Sequence, residues 1–172
     1  TWTTDLSITR KNGRKFSWEN VVFYTLMRDA IVTDKFQLNG KDSILFDGVM
    51  SRVYASQNKS NAYIYGLSGN LFYKADENFS LKANLNYTYG RIKTDSFDYP
   101  LDHVSPISGN ATIAYKEGKF SSDFYVNFNG WKRMKNYNLL GEDNQQYATA
   151  DGTPAWFTLN LRAQYELPKY CI

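Results

Sequence analysis

Apolar and polar positions alternate along most of this chain with a period of two. Residues 80–90 show it most cleanly. Leu81, Ala83, Leu85, Tyr87 and Tyr89 fall on one side of an extended segment, and Ser80, Lys82, Asn84, Asn86, Thr88 and Gly90 fall on the other. Side chains of a β-strand point to opposite faces in turn, so the stretch predicts a strand with one apolar and one polar face. The same period predicts six more long strands, over about residues 2–9, 14–32, 60–74, 108–116, 119–131 and 155–167. A shorter hairpin is expected within residues 42–57. In the second strand Phe16, Trp18, Val22, Tyr24 and Leu26 share the apolar face, and Asn20 interrupts it. In the last, Phe157, Leu159, Leu161, Ala163, Tyr165 and Leu167 share it. No segment carries a convincing helical period. The expected fold class is all-β, an antiparallel up-and-down meander.

The joints between strands sort by length. Residues 10–14, 74–78 and 116–119 are short, and Asn12-Gly13 is a strong hairpin signal. About 33–60, 92–107 and 132–154 are long and polar. In a meander this puts tight turns at one end of the sheet and long loops at the other, which is the layout of an outer-membrane barrel. Phe16, Trp18, Tyr73, Phe79, Tyr115 and Phe120 gather at the short-turn end and fit an aromatic girdle at a membrane boundary. Cross-strand aromatic pairing in a soluble sheet would use the same positions. Periodicity alone does not separate a lipid-facing wall from a solvated sheet.

Composition narrows the chemistry. Aromatics make up 17% of the 172 residues, which favours strands. The net charge of +3 is spread along the chain, so no basic stripe points to nucleic acid. One histidine, His103, and one cysteine, Cys171, leave no basis for a metal site built from those residues or for an internal disulfide. No apolar run is long enough for a spanning helix. No catalytic constellation emerges. Asp102 and His103 are neighbours in an extended segment and would point to opposite faces. Asp95, Asp98 and Asp102 could approach calcium, but they lack the spacing of a calcium loop and read better as solvated. No cofactor and no enzymatic activity are expected. The candidate ligand contacts are the aromatic and basic residues of the last long loop: Trp131, Lys132, Arg133, Tyr137, Tyr147 and Trp156. Aromatic faces can stack on a flat ligand, and the cations suit an anionic one. Trp131 and Trp156 could instead belong to an outer aromatic girdle.

Four stretches carry a resemblance when taken in order: "VVFYTLMRDAIV" (21–32), "NAYIYGLSGNLFYKADENFSLKANLNYTYG" (61–90), "PLDHVSPISGNATIAYK" (100–116) and "TPAWFTLNLRAQYEL" (153–167). Together they resemble the late barrel strands of TonB-dependent outer-membrane receptors, particularly of the Bacteroidetes type. The resemblance covers most of residues 14–167. It implies that residues 1–172 are a single segment of a transmembrane β-barrel, the C-terminal part, in a larger molecule whose plug domain is absent here. It implies a bacterial outer-membrane location, with lipid and lipopolysaccharide around the barrel and with TonB and the plug engaged through a missing N-terminal part. It implies active uptake of a bulky scarce ligand, a small molecule or glycan such as an iron-siderophore, haem, cobalamin or a glycan. Two other readings stay open on the residues alone. One is a small self-contained outer-membrane barrel with a structural or adhesive role. The other is a soluble β-sandwich or barrel that binds glycan or lipid.

Overall fold

A computed structural model describes residues 1–94, 98–105, 107–138, 143 and 145–167, with side chains for all of these but 32, 59 and 60. Asp95 and Cys171 lie outside the described residues. Seven strands follow one another across a single antiparallel sheet: β1 (Trp2–Asn12), β2 (Phe16–Lys35), β5 (Tyr54–Lys74), β6 (Phe79–Lys93), β8 (Ile107–Glu117), β9 (Phe120–Asn129) and β12 (Trp156–Tyr165). β7 (Asp98–Pro100) adds to the upper part of β6, and β3 (Ser43–Phe46) and β4 (Val49–Arg52) form a separate hairpin. β10 (Lys132–Arg133) pairs with β11 (Gly152–Thr153) in the last long loop. β1 and β12 stand at the two edges of the sheet. No helix among the described residues is long and apolar enough to cross a membrane, which says nothing of crossing by strands.

The register turns the alternation of each strand into rows that run across the sheet. Phe16, Tyr73, Leu81, Ile113, Phe124 and Leu161 are successive partners on neighbouring strands. So are Trp18, Leu71, Ala83, Ala111, Val126 and Leu159, two residues further along. Register in a sheet is set wherever one face must avoid water, because a slip of one residue would invert every side chain. The apolar face is uncovered. Val22 is 53% exposed, Ile113 51%, Leu161 73%, and among the described residues only Ala62, Ile92 and Tyr137 are buried hydrophobics. A soluble antiparallel sheet buries its apolar face against a second layer. This sheet keeps it outward.

Aromatic rings bracket that face. At the short-turn end Phe16 and Tyr73 are direct partners, the Phe79 and Tyr115 rings lie 4.8 Å apart, and Tyr115 and Phe120 lie 6.2 Å apart. At the other end Trp2 meets Tyr24 at 6.4 Å and Tyr65 meets Tyr89 at 5.2 Å, with Tyr63 stacked on Tyr65. Tyr63 and Tyr73 lie on one strand, β5. Their ten-residue separation, at about 3.3 Å per residue and about 40° of tilt, gives about 25 Å, the height of the apolar band on an outer-membrane barrel.

The three turns at the first end are tight. Gly13 and Gly118 take positive φ at their tips. In the third, Asp76 Oδ1 accepts the backbone N–H groups of Phe79 (2.7 Å) and Asn78 (2.8 Å). Those two bonds hold the Asp76 carboxyl below its ordinary range, since they favour the charged form. At the other end β2 and β5 run on past a bulge between Met27 and Ile31, where Asp29 has φ 57°. They carry the β3–β4 hairpin, whose Asp47-Gly48 turn has both residues at positive φ.

Two glycines sit under aromatic rings. Gly66 lies opposite Phe23, and a Cβ there would come within 2.7 Å of the ring and 2.3 Å of the Tyr87 carbonyl oxygen. Gly109 stands in the same relation to Phe128, at 2.9 Å. Gly66→Ala is therefore expected to displace the Phe23 ring and strain the β5–β6 ladder. The expected cost is about 1–3 kcal/mol, measured as a lowered urea midpoint for the chain in lipid vesicles. Asn20 follows the same logic on the outer face. It faces Gly69, and its Oδ1 lies 2.9 Å from where a Gly69 Cβ would stand, so the amide fills the gap left by the glycine.

Candidate functional site

The meander delivers all three long connections to one end of the sheet. Two of them meet there. The segment after β7 folds back over β6: the Leu101 N–H donates to the Gly90 carbonyl at 3.2 Å, and the Leu101 side chain occupies the space a Gly90 Cβ would need. Below it Ala62 and Ile92 form a small core with Met27, Ala30, Tyr99 and Leu101. Arg91 closes this segment with an ion pair to Asp98 at 2.6 Å. Asp98 is thus engaged by a cation of its own chain, and among the described residues no group of three His, Cys, Asp or Glu is placed to hold a metal.

The last long connection is clasped by short-range pairing. Lys132 and Arg133 pair with Thr153 and Gly152. The Met134 N–H donates to the Asp151 carbonyl at 3.2 Å, and Gly152 has φ 106°, a conformation that glycine supplies without strain. The Trp131 indole N–H donates to the Asp151 carbonyl at 3.3 Å, and the Arg133 guanidinium lies 3.7 Å from the Trp131 ring. An arginine stacked on an indole keeps its charge while shielding one ring face.

Asp143 joins the two connections. Its Oδ1 accepts from Lys132 Nζ at 2.7 Å and from the His103 backbone N–H at 3.1 Å, and its Oδ2 accepts from the Asn138 N–H at 2.9 Å. The Asp143 side chain is 5% exposed and that of Lys132 is 13% exposed. Burial pushes the Asp143 carboxyl up, but the Lys132 ammonium and the two backbone donors outweigh it and hold the carboxyl below its usual range. His103 reaches its donor position through a positive φ of 56°. Tyr137 is 6% exposed, its hydroxyl bonded to Thr153 and its ring 4.9 Å from Lys132 Nζ. Ser105 donates to Asn129. Between these groups lies a cleft of about 330 Å³, bordered by His103, Asn129, Lys132, Tyr137, Asp143 and Tyr147.

The six residues singled out from the sequence divide into two sets. Lys132 and Tyr137 are held by Asp143 and Thr153, and they shape the cleft. Trp131 (37% exposed), Arg133, Tyr147 (83%) and Trp156 (49%) keep open surface. Trp156 is the partner of Asn129 and belongs to the polar row, not to the apolar face. Asp143, Thr153 and the His103 backbone were not singled out. Asp143 is one carboxylate in a polar run, and no periodicity or spacing marks it before the two connections meet.

The sheet and its loops can be compared with known proteins. A family model described as "TonB dependent receptor-like, beta-barrel" matches residues 1–170. The chain belongs to that family. Among solved structures the receptor segment matches a copper transporter, OprC, with a TM-score of 0.70 and 18% sequence identity, over 97% of this chain and 23% of that one. At that identity the likeness establishes the fold. The chain spans less than a quarter of the length of that structure. A search of curated proteins finds no match. The receptor segment is an outer-membrane β-barrel segment.

Proposed function

We propose that the chain supplies wall strands and ligand-contacting loops to an outer-membrane receptor that takes up a bulky, scarce ligand by active transport, driven through TonB and gated by a plug. The class of cargo is an iron-siderophore, haem, cobalamin or glycan. No step of this work requires catalysis by the chain. One observation carries the reading: a single sheet divides an exposed apolar face, bracketed by aromatic rings, from an opposite face rich in Asn, Ser, Thr and Lys. That is a wall between lipid and an aqueous lumen. Membership of the receptor barrel family supports it. Trp131 with its stacked Arg133, Tyr147 and Trp156 offer first contacts to a ring-bearing ligand, and the Lys132–Asp143 pair sets the loop that presents them.

Two measurements test the reading. The chain should require detergent or lipid to remain monodisperse, and its natural reading frame should encode a plug. A monodisperse monomer in plain buffer, or a frame without a plug, contradicts it. Trp131→Ala should weaken ligand binding at the loops by about five- to tenfold, the worth of about 1 kcal/mol or slightly more from a lost stacking face, read by titration of the receptor with its cargo.

A further inference from the structure

The apolar face changes character where its aromatic rings end. On β2, β5 and β6 its positions carry no charged residue from Phe16, Tyr73 and Phe79 up to Leu26, Tyr63 and Tyr89. Just beyond, Arg28, Asn61, Arg91 and Lys93 arrive together. A bulge sets the first of them. Met27 is the partner of Ala62 and Ala30 the partner of Ser60, so Arg28 and Asp29 together stand opposite Asn61, with Asp29 at φ 57°. A bulge of this kind re-aims a side chain of its strand. On its other side Asn61 is the partner of Lys93. A cation, an amide and a second cation therefore stand side by side on three neighbouring strands, with the backbones of the two cations about 10 Å apart. Both cations lie on the side of the rings. The Lys93 ammonium is 5.4 Å from the Tyr63 ring, and Tyr63 stacks on Tyr65. Arg28 borders a cavity of about 370 Å³ with Thr1, Trp2 and Leu26.

The acids nearby leave these two cations unpaired. Asp98 is the partner of Lys93 on β7, but its carboxylate takes the Arg91 Nε at 2.6 Å, and Arg91 also donates to the Asp98 carbonyl at 2.8 Å. Among the described residues neither Arg28 nor Lys93 has an ion pair, and the Asn61 amide has no hydrogen-bond partner. Cations beside a lipid-facing surface lay their stems on the rings and hold their charge at the level of the headgroups. The occupant that fits is an amphiphile, anionic beside Arg28 and Lys93 and apolar below them along Trp2, Leu26 and Tyr63. Phosphate suits the donors, because a guanidinium, an ammonium and an amide N–H all donate to its oxygens. We infer that Arg28, Asn61 and Lys93 form a seat for the phosphorylated headgroup of an outer-leaflet glycolipid, whose acyl chains lie against the rings below. The inference rests on the proposed reading of the sheet as a wall between lipid and lumen. It concerns the lipid around the receptor and not the cargo within it.

The test uses the intact receptor in detergent, with bound lipid read by native mass spectrometry. The probes are an acylated disaccharide with a phosphate at each end, the same lipid stripped of its phosphates, and inorganic phosphate. The seat predicts that the phosphorylated lipid is retained and that its affinity falls about thirtyfold in the R28Q/K93Q double variant. R28K/K93R keeps both charges and controls for folding, and should bind within about threefold of the original. The stripped lipid should bind the original and R28Q/K93Q alike, and inorganic phosphate should not displace the phosphorylated lipid. Equal binding of that lipid by R28Q/K93Q, its loss in R28K/K93R, or its displacement by inorganic phosphate overturns the seat. Failure of the wall reading is seen separately. A receptor that is monodisperse in plain buffer removes wall and seat together. One that needs detergent but holds the phosphorylated and stripped lipids equally keeps the wall and removes the seat.

Discussion

Replacing Leu85 with arginine is expected to destabilise the barrel wall by about 2–4 kcal/mol, while arginine at the adjacent Asn84 is expected to be tolerated. The two positions are neighbours on β6 and share every local condition except the face they occupy. Leu85 lies in the row of Asn20, Gly69, Gly109, Phe128 and Phe157, between the two sets of aromatic rings and so near the middle of the hydrocarbon. A guanidinium placed there loses its hydration and finds no anion. Asn84 lies in the polar row, where water and amides accept the charge. Urea titration in lipid vesicles reads the difference directly. Equal effects at the two positions would mean that both faces meet the same medium.

Asp143→Ala is expected to release the loops without unfolding the sheet. Removal of the carboxylate takes the ion pair from Lys132, whose side chain is only 13% exposed, and removes an acceptor from the His103 and Asn138 N–H groups. Breaking a buried pair from one side costs about 3–5 kcal/mol. Amide hydrogen exchange at residues 103 and 138 should accelerate by roughly a hundredfold or more, with strands β5 and β6 unchanged. The same pair predicts a pH response. A carboxyl held below its unfolded value adds stability that is present above that value and is lost as the pH falls through the lower folded one. The loop clasp should therefore persist through mildly acidic pH and loosen only in acid below the ordinary carboxylate range. Loosening near neutral pH would contradict the assignment.

The strands of the sheet were legible because each face of the sheet imposes one rule on every second residue of a strand. Alternation from Leu81 to Tyr89 separates an apolar face from a polar one, and no long-range contact is needed to read it. The ends of β2 and β5 escaped that rule. From about residue 33 to residue 60 the sequence turns polar and loses its period, yet the ladder continues through Thr33–Ser56 and Lys35–Tyr54 on backbone hydrogen bonds that leave no mark on side-chain pattern. Asn20 looked like an error in the apolar row until its partner proved to be Gly69. The pairing of those two residues is a property of register, which the strand alone does not contain. The same holds for the loops. Trp131 and Tyr147 announce themselves by residue type, but the division between residues that hold the loop and residues that face outward depends on where Asp143 arrives. Asn70, Asn84, Asn110 and Asn127 illustrate the same point: they are distributed over residues 70 to 127, and only the register brings them into one row.

The two faces of this sheet are expected to meet two different media, and a spin-label scan through residues 80–90, in lipid vesicles and with Cys171 replaced by serine, separates them. Labels at 81, 83, 85 and 87 should collide mainly with dissolved oxygen, and labels at 80, 82, 84 and 86 mainly with a water-soluble nickel chelate, with a period of two and opposite phase. Oxygen and nickel accessibilities that rise and fall together along these residues would contradict it.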